Sequence, residues 1–341
     1  MIEGHGDDIY KYRNEIKHNF SSNIYQQFNH EGTLKHLASC RNLLSAYPEP
    51  IPESLEREIA SKLFIPEANV MVTAGSTDTI YTIALANRNR RSLILQPTFA
   101  EYEDACRMHE HKVDFIAEEQ INSLESIDCD LFWICNPNNP TGKVIESVFL
   151  EKLVYENPDV LFVIDSAYED YTLVDLPAVD FSVKNTNVVM MHSLTKRFGV
   201  PGLRIGYLTA DSAIIEELKK FRMPWSIGTP AIEGARYLIN HADEYEIPVR
   251  KLLEEALKIK KRLRQLGIEV NDSETNYLLC KLPFGKVSHL KNFLAENYGI
   301  LIRDASNFHG LNERFFRIAV QSEPSNDLLL IKIEEWLSLH K

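Results

Sequence analysis

Seven short apolar stretches between residues 69 and 209, separated by helical stretches, constrain this chain more than any other feature. They fall at 69–74, 92–96, 112–116, 130–135, 160–164, 188–192 and 204–209. Several are almost unbroken apolar runs, such as Leu131-Phe132-Trp133-Ile134-Cys135 and Val188-Val189-Met190-Met191. A strand wet on one face alternates apolar with polar residues, whereas an unbroken run calls for cover on both faces. Helical stretches at 77–86 and 213–221 lie between the strands. The alternation predicts an α/β fold with a mainly parallel, seven-stranded sheet between layers of helices.

The rhythm then changes. Residues 230–266 read as one long charged helix, with Glu254, Lys258 and Lys261 spaced for an exposed face. Beyond Gly267, strands at 268–270, 276–281, 300–303 and 315–320 mix with helices at 287–298 and 327–338, which predicts a smaller α+β domain. The expected organisation is an arm over 1–30 packing on the small domain, a large domain over 31–240 and a small C-terminal domain over 241–341. A chain of 341 residues is long for one domain and comfortable for two.

Charge and cysteine content narrow the partners. A net charge of −12 disfavours a nucleic-acid surface, which needs basic patches, but leaves room for a local cationic pocket. No apolar run approaches the roughly 20 residues that span a bilayer, and the opening residues are polar and acidic, so no membrane partner or signal peptide is expected. The cysteines, Cys40, Cys106, Cys129, Cys135 and Cys280, are odd in number and lack C-x-x-C spacing. That speaks against a disulfide framework or a zinc site and for a reducing, cytoplasmic setting.

In an open parallel sheet, ligands bind beyond the carboxyl ends of the strands. Polar motifs cluster where these strands end: Gly75-Ser76-Thr77, Asn136-Pro137-Asn138-Asn139-Pro140-Thr141-Gly142, Asp165-Ser166-Ala167-Tyr168 and Ser193-Leu194-Thr195-Lys196, with Arg204 eight residues after that lysine. Each has an ordinary reading: a helix N-cap for Gly75-Ser76-Thr77, a turn residue for Asn139, a strand-end turn or cap for Asp165 and a core tyrosine for Tyr102. In this order and spacing, however, the set resembles the class I/II pyridoxal-phosphate (PLP)-dependent aminotransferase superfamily, across nearly the whole chain from residue 19. A dinucleotide-binding G-x-G-x-x-G is missing from the first helix.

The resemblance implies fold type I, pyridoxal 5'-phosphate as cofactor and a role for each motif. Lys196 would hold the cofactor as a Schiff base and then move protons at the substrate's α-carbon. Asp165 would pair with the pyridinium nitrogen. Tyr168 and Asn139 would bond the ring oxygen, and Tyr102 would stack on the ring. The phosphate would sit on Ser76 and Thr77 at a helix N-terminus, with Ser193 and Arg204 adding a hydroxyl and a cation. Tyr47 would reach the phosphate of a neighbouring subunit, which implies a homodimer.

On the substrate side, Arg317 and Asn23 match positions that hold the α-carboxylate. Arg303 matches the arginine that binds a substrate phosphate in the branch containing histidinol-phosphate aminotransferases and threonine-phosphate decarboxylases. A salt bridge with Asp304 or another acid is its structural alternative. The Met223-Pro224-Trp225-Ser226 and Asn307-Phe308-His309-Gly310-Leu311 segments are similar to those of L-threonine-O-3-phosphate decarboxylases of cobalamin side-chain synthesis, as is the opening His5-Gly6, where the histidine would help bind phosphate. Two features depart from that pattern. Asn23 leads into Ile24-Tyr25-Gln26-Gln27, and the acids Asp7-Asp8 follow Gly6, where they would repel a phosphate unless turned away. The implied partner is a phosphorylated amino acid, and the implied reaction is decarboxylation of threonine phosphate or, alternatively, amino transfer. A third class, a non-catalytic binding protein on the same fold, would be marked by loss of the lysine or the aspartate, and both are present.

Overall fold

The structure, a computed structural model, describes residues 6–124 and 126–340. Its centre is a seven-stranded sheet in the order Val70–Thr73, Gly206–Ala210, Val188–His192, Leu161–Asp165, Leu131–Cys135, Arg91–Gln96 and Lys112–Ala117. Gly206–Ala210 runs antiparallel to both its neighbours, and the remaining pairs are parallel. All six parallel strands therefore end at one edge. The antiparallel strand starts at that same edge, so Arg204, just before it, joins residues that follow the other strands.

The apolar runs divide by parity between two covered faces. Trp133, Val163, Val189 and Met191 face one cluster, with Ile80 and Ile83 of the helix Ser76–Ala86. Phe132, Ile134, Phe162, Ile164, Val188 and Met190 face another, with Leu150, Leu153 and Val154 of the helix Ser147–Glu156. Each fully buried Val, Leu, Ile or Phe contributes roughly 1.5–3 kcal/mol relative to exposure, so two-sided burial explains the lack of alternation.

A second sheet has the order Arg303–Asp304, Phe315–Ala319, Tyr277–Lys281 and Glu269–Val270, all antiparallel. The helices Val249–Gln265, Val287–Tyr298 and Glu323–Leu339 pack against it around Trp336, Leu290 and Leu263. Near the start of the chain, His18–Asn19 pairs in parallel with Ile300–Leu301.

The expected single helix over 230–266 is two helices, Thr229–Asn240 and Val249–Gln265. Pro248 accounts for the break. Its ring removes an N–H and disfavours helical backbone at Ile247, so it begins the second helix and cannot continue the first. The intervening Tyr245 and Ile247 turn into the core, and Arg197 fixes the bend by donating from Nη1 to the Tyr245 carbonyl at 2.7 Å. Glu254, Lys258 and Lys261 lie on the exposed face of the second helix, as their spacing requires.

Candidate active site

One cavity at the carboxyl edge of the central sheet is lined by residues from nearly every motif singled out above, and the second sheet supplies its opposite wall. Ser193 caps a single helical turn, Leu194–Arg197, directly after the strand Val188–His192. Its carbonyl accepts from the N–H groups of Lys196 and Arg197 at 3.1 and 3.0 Å, and the Tyr171 hydroxyl donates to the Lys196 carbonyl at 2.9 Å. With its backbone held this way, Lys196 places Nζ 5.6 Å from the centre of the Tyr168 ring.

Asp165 ends its strand fully inside the protein. Its carboxylate accepts from the Tyr102 hydroxyl at 2.7 Å and the Ala167 N–H at 3.0 Å. Burial raises its pKa, against these donors and the charges of Lys196 and His192. A carboxylate still short of positive charge suits a protonated ring nitrogen. The Tyr102 bond is a contact sequence reading missed; that ring also stacks on Trp133, 5.7 Å between centres.

The asparagine-proline loop sorts its polar residues by geometry. Asn136 exchanges bonds with the backbone of Ile145 at 2.9 and 2.8 Å. Asn138 holds Pro97, Thr98 and Thr141 at 2.8–2.9 Å. Gly142 closes the loop at φ +71°, where a Cβ would lie 1.9 Å from Ser273 Oγ, so only glycine fits. With its neighbours committed to the loop, Asn139 faces the cavity, where its side-chain oxygen accepts from Arg317.

Gly75, at φ +89°, turns the chain from its strand into the helix Ser76–Ala86. A Cβ there would lie 3.0 Å from an Arg204 nitrogen, so the turn, the start of the helix and the Arg204 guanidinium are close neighbours. Ser76, Thr77, Ser193 and Arg204 all line the cavity. This cationic, donor-rich corner is suited to a phosphate.

Across the cavity, Arg303 and Arg317 face each other on adjacent antiparallel strands. Both are 5% exposed, yet neither forms an ion pair with a carboxylate among the described residues. Arg317 donates to Asn139 and to the Ser21 carbonyl, and its guanidinium lies 5.8 Å from the Tyr277 ring centre. Arg303 donates to the Asp304 carbonyl and, at 2.7 Å, to the Asn307 side chain, while Phe308 lies beneath it. The salt bridge to Asp304 offered as its alternative is not formed; that carboxylate accepts from the Ser306 N–H at 3.0 Å. Burial, and then the charge of Arg317, pushes the Arg303 pKa down; burial does the same to Arg317. Two buried cations directly opposite one another repel, and an anion between them relieves both. Asn23, 1% exposed on the cavity wall, has both amide atoms without a hydrogen-bond partner among the described residues. A buried amide without partners costs about 1–3 kcal/mol, which a polar ligand recovers.

His5 lies outside the described residues. Gly6 and Asp7 line the cavity, and a Cβ on Gly6 would meet the Ser21 carbonyl at 3.0 Å and Arg303 Cδ at 3.3 Å. Asp8 is turned away, because Lys291 binds both its oxygens at 2.7 and 2.8 Å. Tyr47 does not line this cavity: it is 87% exposed and packs beside Trp225. Ser21, Phe99, Cys135, Thr195, Tyr277 and Phe308 were not singled out individually from the sequence. Of these, Thr195 carried a signal from its place in the Ser193-Leu194-Thr195-Lys196 run, and Phe308 from the segment between the two arginines.

The Asp8–Lys291 pair gives a prediction. Burial raises the Asp8 pKa, but the hydrogen bond and charge of Lys291, helped by Lys11, outweigh it and hold the carboxyl below its ordinary value. The pair therefore stabilises the fold above the ordinary carboxylate range, and its contribution is lost as pH falls through the depressed value. Lys291→Met is expected to cost about 3 kcal/mol at neutral pH, since it leaves a buried carboxylate with Lys11 alone. In denaturant titrations the gap between variant and unsubstituted protein should close as the pH is lowered past 4.

The sequence profile of the family described as "Aminotransferase class I and II" matches residues 15–333. The chain is 30% identical over 308 residues to a histidinol-phosphate aminotransferase of Caldanaerobacter subterraneus subsp. tengcongensis, covering 86% of this chain and 85% of that one. It is similar to the crystal structure of an L-threonine-O-3-phosphate decarboxylase from Porphyromonas gingivalis, with a TM-score of 0.91, 36% identity and coverage of 94% and 99% of the two chains. A histidinol-phosphate aminotransferase from Sinorhizobium meliloti, solved in complex with pyridoxal-5'-phosphate, shares the fold at a TM-score of 0.85 and 16% identity, over 100% of this chain and 96% of that one. Because the profile runs through both sheets and past both facing arginines, the chain belongs to the class I and II aminotransferase family, whose enzymes use pyridoxal 5'-phosphate.

Proposed function

We propose that this enzyme decarboxylates L-threonine O-3-phosphate to (R)-1-aminopropan-2-yl phosphate. The observation that carries the reading is the facing pair Arg303 and Arg317, buried in the cavity wall without carboxylate partners among the described residues. A substrate with two anionic groups meets that demand better than one with a neutral side chain.

When bound, pyridoxal 5'-phosphate supplies an electron sink for a bond broken at the substrate's α-carbon. Asp165 holds the proton on its ring nitrogen, and Tyr102 keeps the carboxylate in place. Ser76, Thr77, Ser193 and Arg204 hold its phosphate. Asn139 and Tyr168 orient its ring oxygen, and Lys196 is its attachment point. Arg317 and Asn23 bind the substrate carboxylate, and Arg303 binds the substrate phosphate. Held this way, the substrate carboxylate would be the group lost as carbon dioxide, and the Lys196 amine would be placed to return a proton to the α-carbon. The protein's part in choosing which bond breaks is orientation. Tyr47, exposed in its own chain, would complete the phosphate site of a second copy in a homodimer.

The test supplies L-threonine O-3-phosphate to the purified enzyme with no keto acid present. Sustained release of carbon dioxide is expected, and L-threonine should react far more slowly. Turnover only when 2-oxoglutarate is added would instead make the enzyme an aminotransferase, of the histidinol-phosphate type or another.

A further inference from the structure

We infer that His36, Cys40 and Glu233 form a binding site for a divalent transition ion of borderline softness, with zinc as the best match. The three side chains come from two helices well apart in sequence. His36 and Cys40 are one turn apart at the end of the helix Glu31–Ser39, and Glu233 lies on the helix Thr229–Asn240. Spacing of i and i+4 puts both ligands on one face, and the second helix supplies the third. Cysteine spacing along the sequence could not reveal this group, because two of its three members are not cysteines.

The distances match a coordination shell. His36 Nε2 lies 3.5 Å from Glu233 Oε2 and 3.7 Å from Cys40 Sγ, and Sγ lies 3.9 Å from the same Oε2. A tetrahedral zinc, with Zn–S of about 2.3 Å and Zn–N and Zn–O of about 2.0–2.1 Å, separates such ligands by roughly 3.3–3.6 Å. Shifts of a few tenths of an ångström would close one face of the tetrahedron. All three residues are partly buried, which leaves the fourth position to solvent.

The direction of approach separates an ion site from a nucleophilic relay. In a cysteine–histidine–acid relay the two imidazole nitrogens engage different partners. Here the thiol and the carboxylate converge on the same nitrogen, Nε2. The surroundings also orient the ligands. Arg236 bonds the other Glu233 oxygen, Oε1, leaving Oε2 for the site, and Glu58 accepts from Arg236 at 2.7 Å and offsets its charge. The His36 ring packs against Tyr237, 5.1 Å between centres. Conserving charge, the S–H proton passes to solvent as the metal–sulfur bond forms; a thiolate, a carboxylate and a neutral imidazole then balance a dication. Glu233 and Tyr47 border the same surface hollow, so an ion here would fasten the segment leading to Tyr47 onto the helix Thr229–Asn240.

The test titrates the purified full-length chain with Zn²⁺ alone against a competing chelator, and separately with Co²⁺ as a spectroscopic probe. One equivalent of zinc should bind, and cobalt should show a thiolate-to-metal absorption that disappears in Cys40→Ser. Zinc affinity should fall by at least about tenfold in His36→Ala and Glu233→Gln, no less than the loss expected from removing an outer-shell partner alone. Absence of the thiolate absorption in the unsubstituted chain overturns the inference whatever the variants do. So does an absorption that survives Cys40→Ser, or a zinc affinity equal in all variants.

Discussion

Lys196→Ala is expected to remove turnover and the yellow colour of the cofactor together, while the fold persists. The loss of rate should be on the order of 10⁴ or more, because one amine is asked both to attach the cofactor and to move a proton. The fold should survive because what fixes this turn is backbone: the Ser193 carbonyl, the Tyr171 hydroxyl and the burial of Leu194 hold it without the Lys196 amine. Absorbance, turnover and circular dichroism on one preparation check the prediction. A variant that keeps both colour and activity would require another residue in this role, whereas loss of folded structure would place the lysine in the scaffold.

The second large effect is expected at Arg303. Arg303→Ala should lower kcat/KM for a phosphorylated substrate by roughly 10- to 150-fold, the size of a charge-assisted hydrogen bond of about 1.5–3 kcal/mol. For the unphosphorylated amino acid the change should be small. Arg317→Ala should instead weaken both, since every amino-acid substrate carries the α-carboxylate. Truncating Arg303 also removes one of two mutually repelling buried cations, so its loss should not by itself destabilise the fold strongly. Equal losses for the two substrates would assign Arg303 to structure through Asn307 and Phe308.

Most of the central strands were legible because two-sided burial writes an almost unbroken apolar run into the sequence, whereas the edge strand Lys112–Ala117 alternates; each observed strand overlaps its expected position. The antiparallel direction of Gly206–Ala210 was not legible, since a run buried on both faces reads the same in either direction. The break at residues 241–248 was obscured by charged residues continuing at helical spacing, although Pro248 marked it. Lys196, Asp165, Asn139 and Ser76 could be brought to one place because each ends or follows a strand and strand ends share an edge. The partners that tune them could not. Tyr102 reaching Asp165, and Ser21 offering its carbonyl to Arg317, arise from side-chain paths across sequence gaps that no spacing records. Asp8 was flagged as a repulsive acid, and only the fold reveals the Lys291 that binds it.

The most direct measurement is reduction of the yellow enzyme with borohydride, followed by proteolysis and mass mapping of the cofactor adduct. The expected result is bleaching, with a pyridoxyl-phosphate mass on the peptide carrying Lys196 and on no other lysine. An adduct on a different lysine, or a protein that binds the cofactor and bleaches without covalent labelling, would contradict the assignment.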